Sequence, residues 1–155
     1  MPRRAVLSDE QRAALLALPD DETLLVQHWT LSRDDLAIIV RRRRPHNRLG
    51  FAIQLCALRY PGRFLRPGEL IPDTPLAFVA EQLQVGPEVL ADYATRGPTR
   101  YEQLDALREG FGFTQFSRPL RAALQEWLLP IALTTTSGAG LARSLLGECR
   151  RRRII

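Results

Sequence analysis

Residues 41–62 read RRRRPHNRLGFAIQLCALRYPG. Four arginines and a proline run straight into an apolar stretch that Pro61-Gly62 closes. Plotted at 100° per residue, Leu49, Ile53, Cys56 and Tyr60 form one apolar stripe, and Phe51, Leu55 and Leu58 form a second. Arg48 and Arg59 lie between the stripes on one side, Gly50, Gln54 and Ala57 on the other. A helix from about Asn47 to Tyr60 is therefore buried on two sides and is no free recognition helix. Its mouth is different: the Arg41–Arg44 run, Asn47 as expected cap, and Arg48 combine free amides with guanidinium forks, a natural seat for phosphate. The small strip at Gly50, Gln54 and Ala57 leaves room for a close approach to the backbone.

The charge around this stretch is lopsided. The chain has 155 residues and a formal net charge of +5, with 22 basic residues, every one an arginine. Between Ala37 and Pro67 there is no Asp or Glu, yet eight arginines lie there: 41, 42, 43, 44, 48, 59, 63 and 66. Outside that segment 14 basic residues face all 17 acidic ones, so the positive excess sits in one part of the chain. A solvated helix face interleaves both signs. One or two arginines would merely favour the end of a preceding helix; four with no acid in the segment point to an acidic partner, nucleic acid first. At Arg150–Arg153 the plainer reading, a solvated helix end, is the stronger one.

The rest reads as helices separated by Pro, Gly and capping residues. Ser8 with Gln11 forms a capping box for a helix to about Leu18. A second helix starts at Pro19-Asp20, and a third starts at Ser32, with Asp34 and Asp35 in its first turn, and stops before Pro45. Thr74 and Pro75 open a helix to about Gln84, Gly86-Pro87 another to Ala94, and Thr99 with Glu102 another to about Glu109. Ser117 caps one reaching Leu129 or beyond, and Ser137 or the glycines after it open one reaching Arg153. No stretch alternates long enough for a strand. A shift of 54 residues sets Leu36-Ala37 on Leu90-Ala91 and Ala52-Ile53 on Ala106-Leu107. The expectation is an all-α fold of two small helix-turn-helix-like modules in tandem, at 1–70 and 71–133, with a linker and last helix over 134–155.

Several classes are excluded. MPRRAVLSDEQR has no apolar run to follow its arginines and is no signal peptide. No run is long enough to span a bilayer, and no helix offers the one-sided apolar face that lies on a membrane. Cys56, Cys149, His28 and His46 match no zinc spacing. Cys56 reads as a buried apolar residue, and two lone thiols fit a reducing cytoplasm. No nucleophile–base constellation is visible, since Ser and Asp are spent on caps. Trp29, Trp127, Phe111, Phe113 and Phe116 read as core rather than base-stacking platforms.

NRLGFAIQLCALRYPG, behind an arginine run and a proline, closely resembles the N-terminal region of the replicative transposases of the Tn-three family. RRAVLSDEQRAALLALPDD looks like that family's opening and TLSRDDLAIIVRRR like its next element. VAEQLQV, Tyr93, Arg96, Thr99-Arg100, Glu102, Leu104, FGF, Phe116 and LLGECRRRRII follow in order, so the likeness covers the whole chain. The resemblance implies an all-helical region that binds double-stranded DNA at the terminal inverted repeats of a transposon, beside the remainder of the transposase chain. It implies no membrane, no cofactor in this portion, and is compatible with a homodimer of the full-length protein and a place at the bacterial nucleoid. The family's metal-dependent Asp-Asp-Glu triad belongs to a C-terminal catalytic region beyond Ile155, so this portion is expected neither to cut nor to join DNA. Tyr101 stands where the resemblance leads one to expect a basic residue.

The residues expected on DNA are Arg41, Arg42, Arg43, Arg44, Asn47, Arg48, Arg59 and Arg63 in the first module, and Arg96, Thr99 and Arg100 in the second. Most should position the protein on phosphates rather than read bases. The competing expectation is a helical protein-interaction module of a transposition complex, without DNA specificity of its own.

Overall fold

The computed structural model describes residues 6–93 and 97–155, the side chains of 97–99 excepted. The helices are α1 Asp9–Leu16, α2 Glu22–Trp29, α3 Arg33–Ile39, α4 Pro45–Arg59, α5 Asp73–Leu83, a 3₁₀ helix Pro87–Asp92, α6 Gly97–Gly110, α7 Arg118–Thr134 and α8 Gly138–Arg151. Among the described residues the sole β-pairing is a parallel bridge between Thr114 and Ile154. The fold is all-α, as the sequence predicts.

Local chemistry explains where the helices start. Ser8 and Gln11 close the expected capping box at 3.1 and 2.9 Å, and Ser32 with Asp35 closes another at 3.1 and 2.8 Å. Asp21 caps α2, a little later than the Pro19-Asp20 start expected. Asn47 is not the cap of α4. The helix begins at Pro45, with Arg44 at the N-cap position and no side-chain cap bond. Proline has no N–H to leave orphaned and a φ already set for a helix, so it starts one turn as well as a capping side chain does. α5 and α6 likewise start ahead of the expected caps Thr74 and Thr99. The helix expected after Gly86-Pro87 is 3₁₀ rather than α.

α4 is the axis of the molecule. Every residue from Leu49 to Leu58 is buried, and α2, α3, α5, α6 and the 3₁₀ helix all pack against it. One continuous apolar cluster runs from Leu25 and Trp29 through α4 to Val79, Leu107 and Phe113. The segments 1–70 and 71–133 thus meet across a common core. Polar ties hold the joints. Trp29 Nε1 donates to the Tyr60 carbonyl at 2.9 Å, and the Leu65 amide donates to Gln54 Oε1 at 2.9 Å. Gln82 bridges the turn after α2 to α5: its Oε1 accepts from the Leu31 amide at 2.8 Å, and its Nε2 donates to the Trp29 carbonyl at 3.1 Å. Cys56 is fully buried, as expected, and its thiol pKa is pushed up to about 12 by that burial.

The Gly50–Gln54–Ala57 strip does admit a close neighbour, and it is the chain itself. The Tyr93 ring lies so near Gly50 that a Cβ there would overlap it. Gly50→Ala is expected to cost about 1–3 kcal/mol, the usual range for overpacking a filled core. Urea unfolding followed by circular dichroism measures this, and an unchanged midpoint would show that the Tyr93 ring moves aside freely.

Candidate nucleic-acid interface

The eight arginines of the acid-free segment have three different fates. Two are clamped by acids from outside it. Arg59 holds Asp35 in a bidentate pair at 2.7 and 2.8 Å. Arg63 holds Glu69 at 3.0 and 2.7 Å, and its Nε donates to the Leu16 carbonyl at 2.8 Å. Two are folded back onto the protein. The Arg42 guanidinium lies 4.4 Å above the Phe51 ring, with its Nε buried and without a hydrogen-bond partner among the described residues. Arg48 Nε donates to the Arg42 carbonyl at 2.6 Å. The remaining four, Arg41, Arg43, Arg44 and Arg66, are exposed. Asn47 is half-buried within the first turn of α4.

In the second half, Arg100 Nη2 donates to the Leu65 carbonyl, tying α6 to the loop after α4. Arg96 and the Thr99 side chain lie outside the described residues. Tyr101 is exposed on α6. Of the aromatic residues, Trp29 is wholly buried and Phe113 nearly so, whereas Phe116 is 53% exposed and is not core.

The structure also brings up residues that the sequence reading sets aside. Arg150 and Arg153 do not trail into solvent. Arg150 lies 5.0 Å above the Tyr60 ring and donates to the Pro61 carbonyl at 3.3 Å. Arg153 donates to the Phe111 carbonyl at 2.9 Å. Arg151 and Arg152 share Glu148, the nearest contacts being 2.6 Å. The only sequence signal for this was the offset of Glu148 from Arg151 and Arg152, three and four residues along one helix.

An all-helical domain with exposed arginines clustered at the mouth of a buried helix defines a basic helical module. The chain belongs to the family described as "Domain of unknown function (DUF4158)", whose profile matches residues 6–155. The transposase for transposon Tn21 of Escherichia coli is 44% identical over 155 residues, 100% of this chain and 16% of that protein. The transposase for Tn501 of Pseudomonas aeruginosa is 39% identical over the same share of both chains. The transposase for Tn1546 of Enterococcus faecium is 34% identical over 98% of this chain and 15% of its own length. These relatives bear out the expected kinship with Tn-three-family transposases, and the chain spans about a sixth of their length.

Three carboxylates sit below their ordinary pKa. Burial alone would raise Asp35, but the hydrogen bonds from Arg59 and Ser32 outweigh it and hold the carboxyl down. Arg63 lowers Glu69. Hydrogen bonds from Arg151 and Arg152 bring Glu148 to about 2. A carboxylate whose folded pKa is depressed contributes stability that is complete above its unfolded value and is lost as pH falls through its folded value. The melting temperature is therefore expected to fall steadily from pH about 4.5 to about 2. Asp35→Asn should start lower at neutral pH and lose less over that range. Thermal melts at a series of pH values check this, and parallel profiles for the two proteins would show that Asp35 is not one of the titrating groups.

Proposed function

We propose that this chain is the N-terminal DNA-binding part of a transposase, and that it holds the terminal inverted repeats of its transposon. The observation that carries this is the company kept by the arginine run. Arg41, Arg43 and Arg44 are exposed, and they abut the N-terminus of α4, whose first turn holds no acid. That helix end carries a partial positive charge of its own. Three cations there repel that helix end and one another, a repulsion the end of α3 offsets in part and an anion relieves further. The acids able to neutralise the segment, Asp35 and Glu69, are already spent on Arg59 and Arg63. A phosphate backbone supplies the missing charge, and the kinship with transposases supplies the DNA.

On this reading the exposed arginines fix register and orientation, Arg42 and Arg48 shape the mouth of α4, and Arg59 and Arg63 brace the scaffold. Arginine bidentate to guanine is the first candidate for direct readout. Cutting and joining of strands fall to other parts of the transposase, and no cofactor is assigned to this portion. The alternative, a protein-interaction module, draws support from the apolar side chains that α7 leaves exposed, Leu129 at 60% and Leu133 at 79%. It gives no salt-dependent affinity for DNA.

Fluorescence anisotropy separates the two. A duplex carrying the transposon's own inverted repeat and a scrambled duplex are titrated across a salt series. The repeat should bind more tightly, and each phosphate neutralised should contribute about 0.9 to the log–log slope. Replacing Arg41, Arg43 and Arg44 together by Gln should lower the slope by about 2 to 3 while leaving the melting temperature in place. Equal binding to both duplexes would move sequence recognition to another part of the transposase. No binding to either would leave the interaction module standing.

A further inference from the structure

A second arginine cluster opens at the other end of α4. A cleft of about 420 Å³ lies between the end of α4, the Gly110–Phe113 turn after α6 and the end of α8. Arg59, Arg150 and Arg153 line it beside the Phe111 and Phe113 rings, and among the described residues no Asp or Glu does. Arg59 is offset by Asp35. Arg150 and Arg153 are held by carbonyl oxygens, Pro61 and Phe111 respectively, and Arg150 also by the Tyr60 ring, and among the described residues no carboxylate pairs with either. Glu148, the nearest acid in sequence, is taken by Arg151 and Arg152.

The backbone adds a second sign. Arg153 follows the C-cap of α8 with φ +53, a left-handed conformation at the place where helices favour glycine. Gln84 takes the same conformation at the C-cap of α5, so this backbone geometry accommodates the arginine and supports the site only together with the cleft it lines. Gly112, also left-handed at φ +71, leaves room on the opposite wall: a Cβ there would meet Arg153 Nη1 at 3.4 Å.

We infer that this cleft is a second phosphate seat, taking a backbone phosphate of the same duplex that the Arg41–Arg44 run engages. The inference rests on the DNA-binding reading above. A run of ring contacts through the core links the two clusters, with Phe51 itself wholly buried. Arg42 stacks on Phe51, Phe51 lies 6.5 Å from Phe111, and Phe111 lies under Arg59 at 5.7 Å. The fifteen residues of α4 span roughly 22 Å, less than the ~34 Å of one turn of duplex DNA. A single duplex contacting both ends of the helix would span that distance within one turn.

The test is an Arg150→Gln, Arg153→Gly double variant, because glycine relieves the left-handed backbone while removing the charge. Arg59 is left alone, since its pair with Asp35 belongs to the core. The melting temperature should hold or rise, while the salt slope on duplex DNA falls by about 1 to 2, in addition to the loss seen on replacing Arg41, Arg43 and Arg44. An unchanged slope and affinity in a folded variant overturns the second seat and leaves the first intact. If the unsubstituted protein binds no duplex at all, the DNA reading itself has failed. Inorganic pyrophosphate, followed by NMR of the arginine Nε–Hε signals, then judges the cleft. Pyrophosphate binding that the double variant abolishes keeps a phosphate seat with another source of phosphate, and none to the unsubstituted protein removes it.

Discussion

The burial of α4 on every side constrains the rest of the molecule. A helix with ten consecutive buried residues can donate nothing from its middle to a ligand, so whatever this helix contributes to binding must come from its ends. The sequence is arranged accordingly. Leu49 to Leu58 contains no charged residue, and arginines stand at both boundaries. Long guanidinium side chains suit this arrangement. Their planar heads stack on aromatic faces, as Arg42 does on Phe51 and Arg150 on Tyr60, and still keep their charge and several donors.

The same constraint explains why the two acids that enter the basic segment come from outside it. Arg59 and Arg63 flank the turn that carries the chain away from α4, where an unpaired cation would leave a half-desolvated charge against the core. Asp35 reaches Arg59 from α3, where it also closes the capping box with Ser32, so one carboxylate fixes a helix start and a helix–helix contact together. Glu69 folds the loop back so that Arg63 can also reach the Leu16 carbonyl at the end of α1. These pairs are partly buried and geometrically exacting, so they act as clamps more than as surface charge.

This division marks what was legible in the sequence. The all-helical fold, the Ser8, Ser32 and Ser137 caps and the burial of Cys56 rest on local rules, and local rules are visible along a chain. The partners of Arg59 and Arg63 were not visible, because an acid-free segment says nothing of acids that the fold delivers from 24 residues upstream in one case. Nor was the tenant of the small-residue strip: the spacing of Gly50, Gln54 and Ala57 announced a close approach, but not that Tyr93 makes it. Arg150 and Arg153 looked like a solvated tail because their neighbours, Tyr60, Pro61 and Phe111, are 42 or more residues away.

Placing the cations at the ends of a rigid rod also bears on what kind of recognition is available. A phosphate contact is indifferent to sequence, but two contacts at a fixed separation are sensitive to the path of the backbone between them. A helix whose middle is locked into a core by five neighbouring elements holds that separation with little give. Rigidity of α4 would thus serve shape readout, in which a duplex that cannot bring its phosphates to the right spacing pays a deformation energy. Base contacts would then fall to side chains that the core leaves free, which at the mouth of α4 are those of Arg41, Arg43 and Arg44. On the proposed reading, tight packing at the centre and DNA contacts at the ends would both follow from the same ten buried residues.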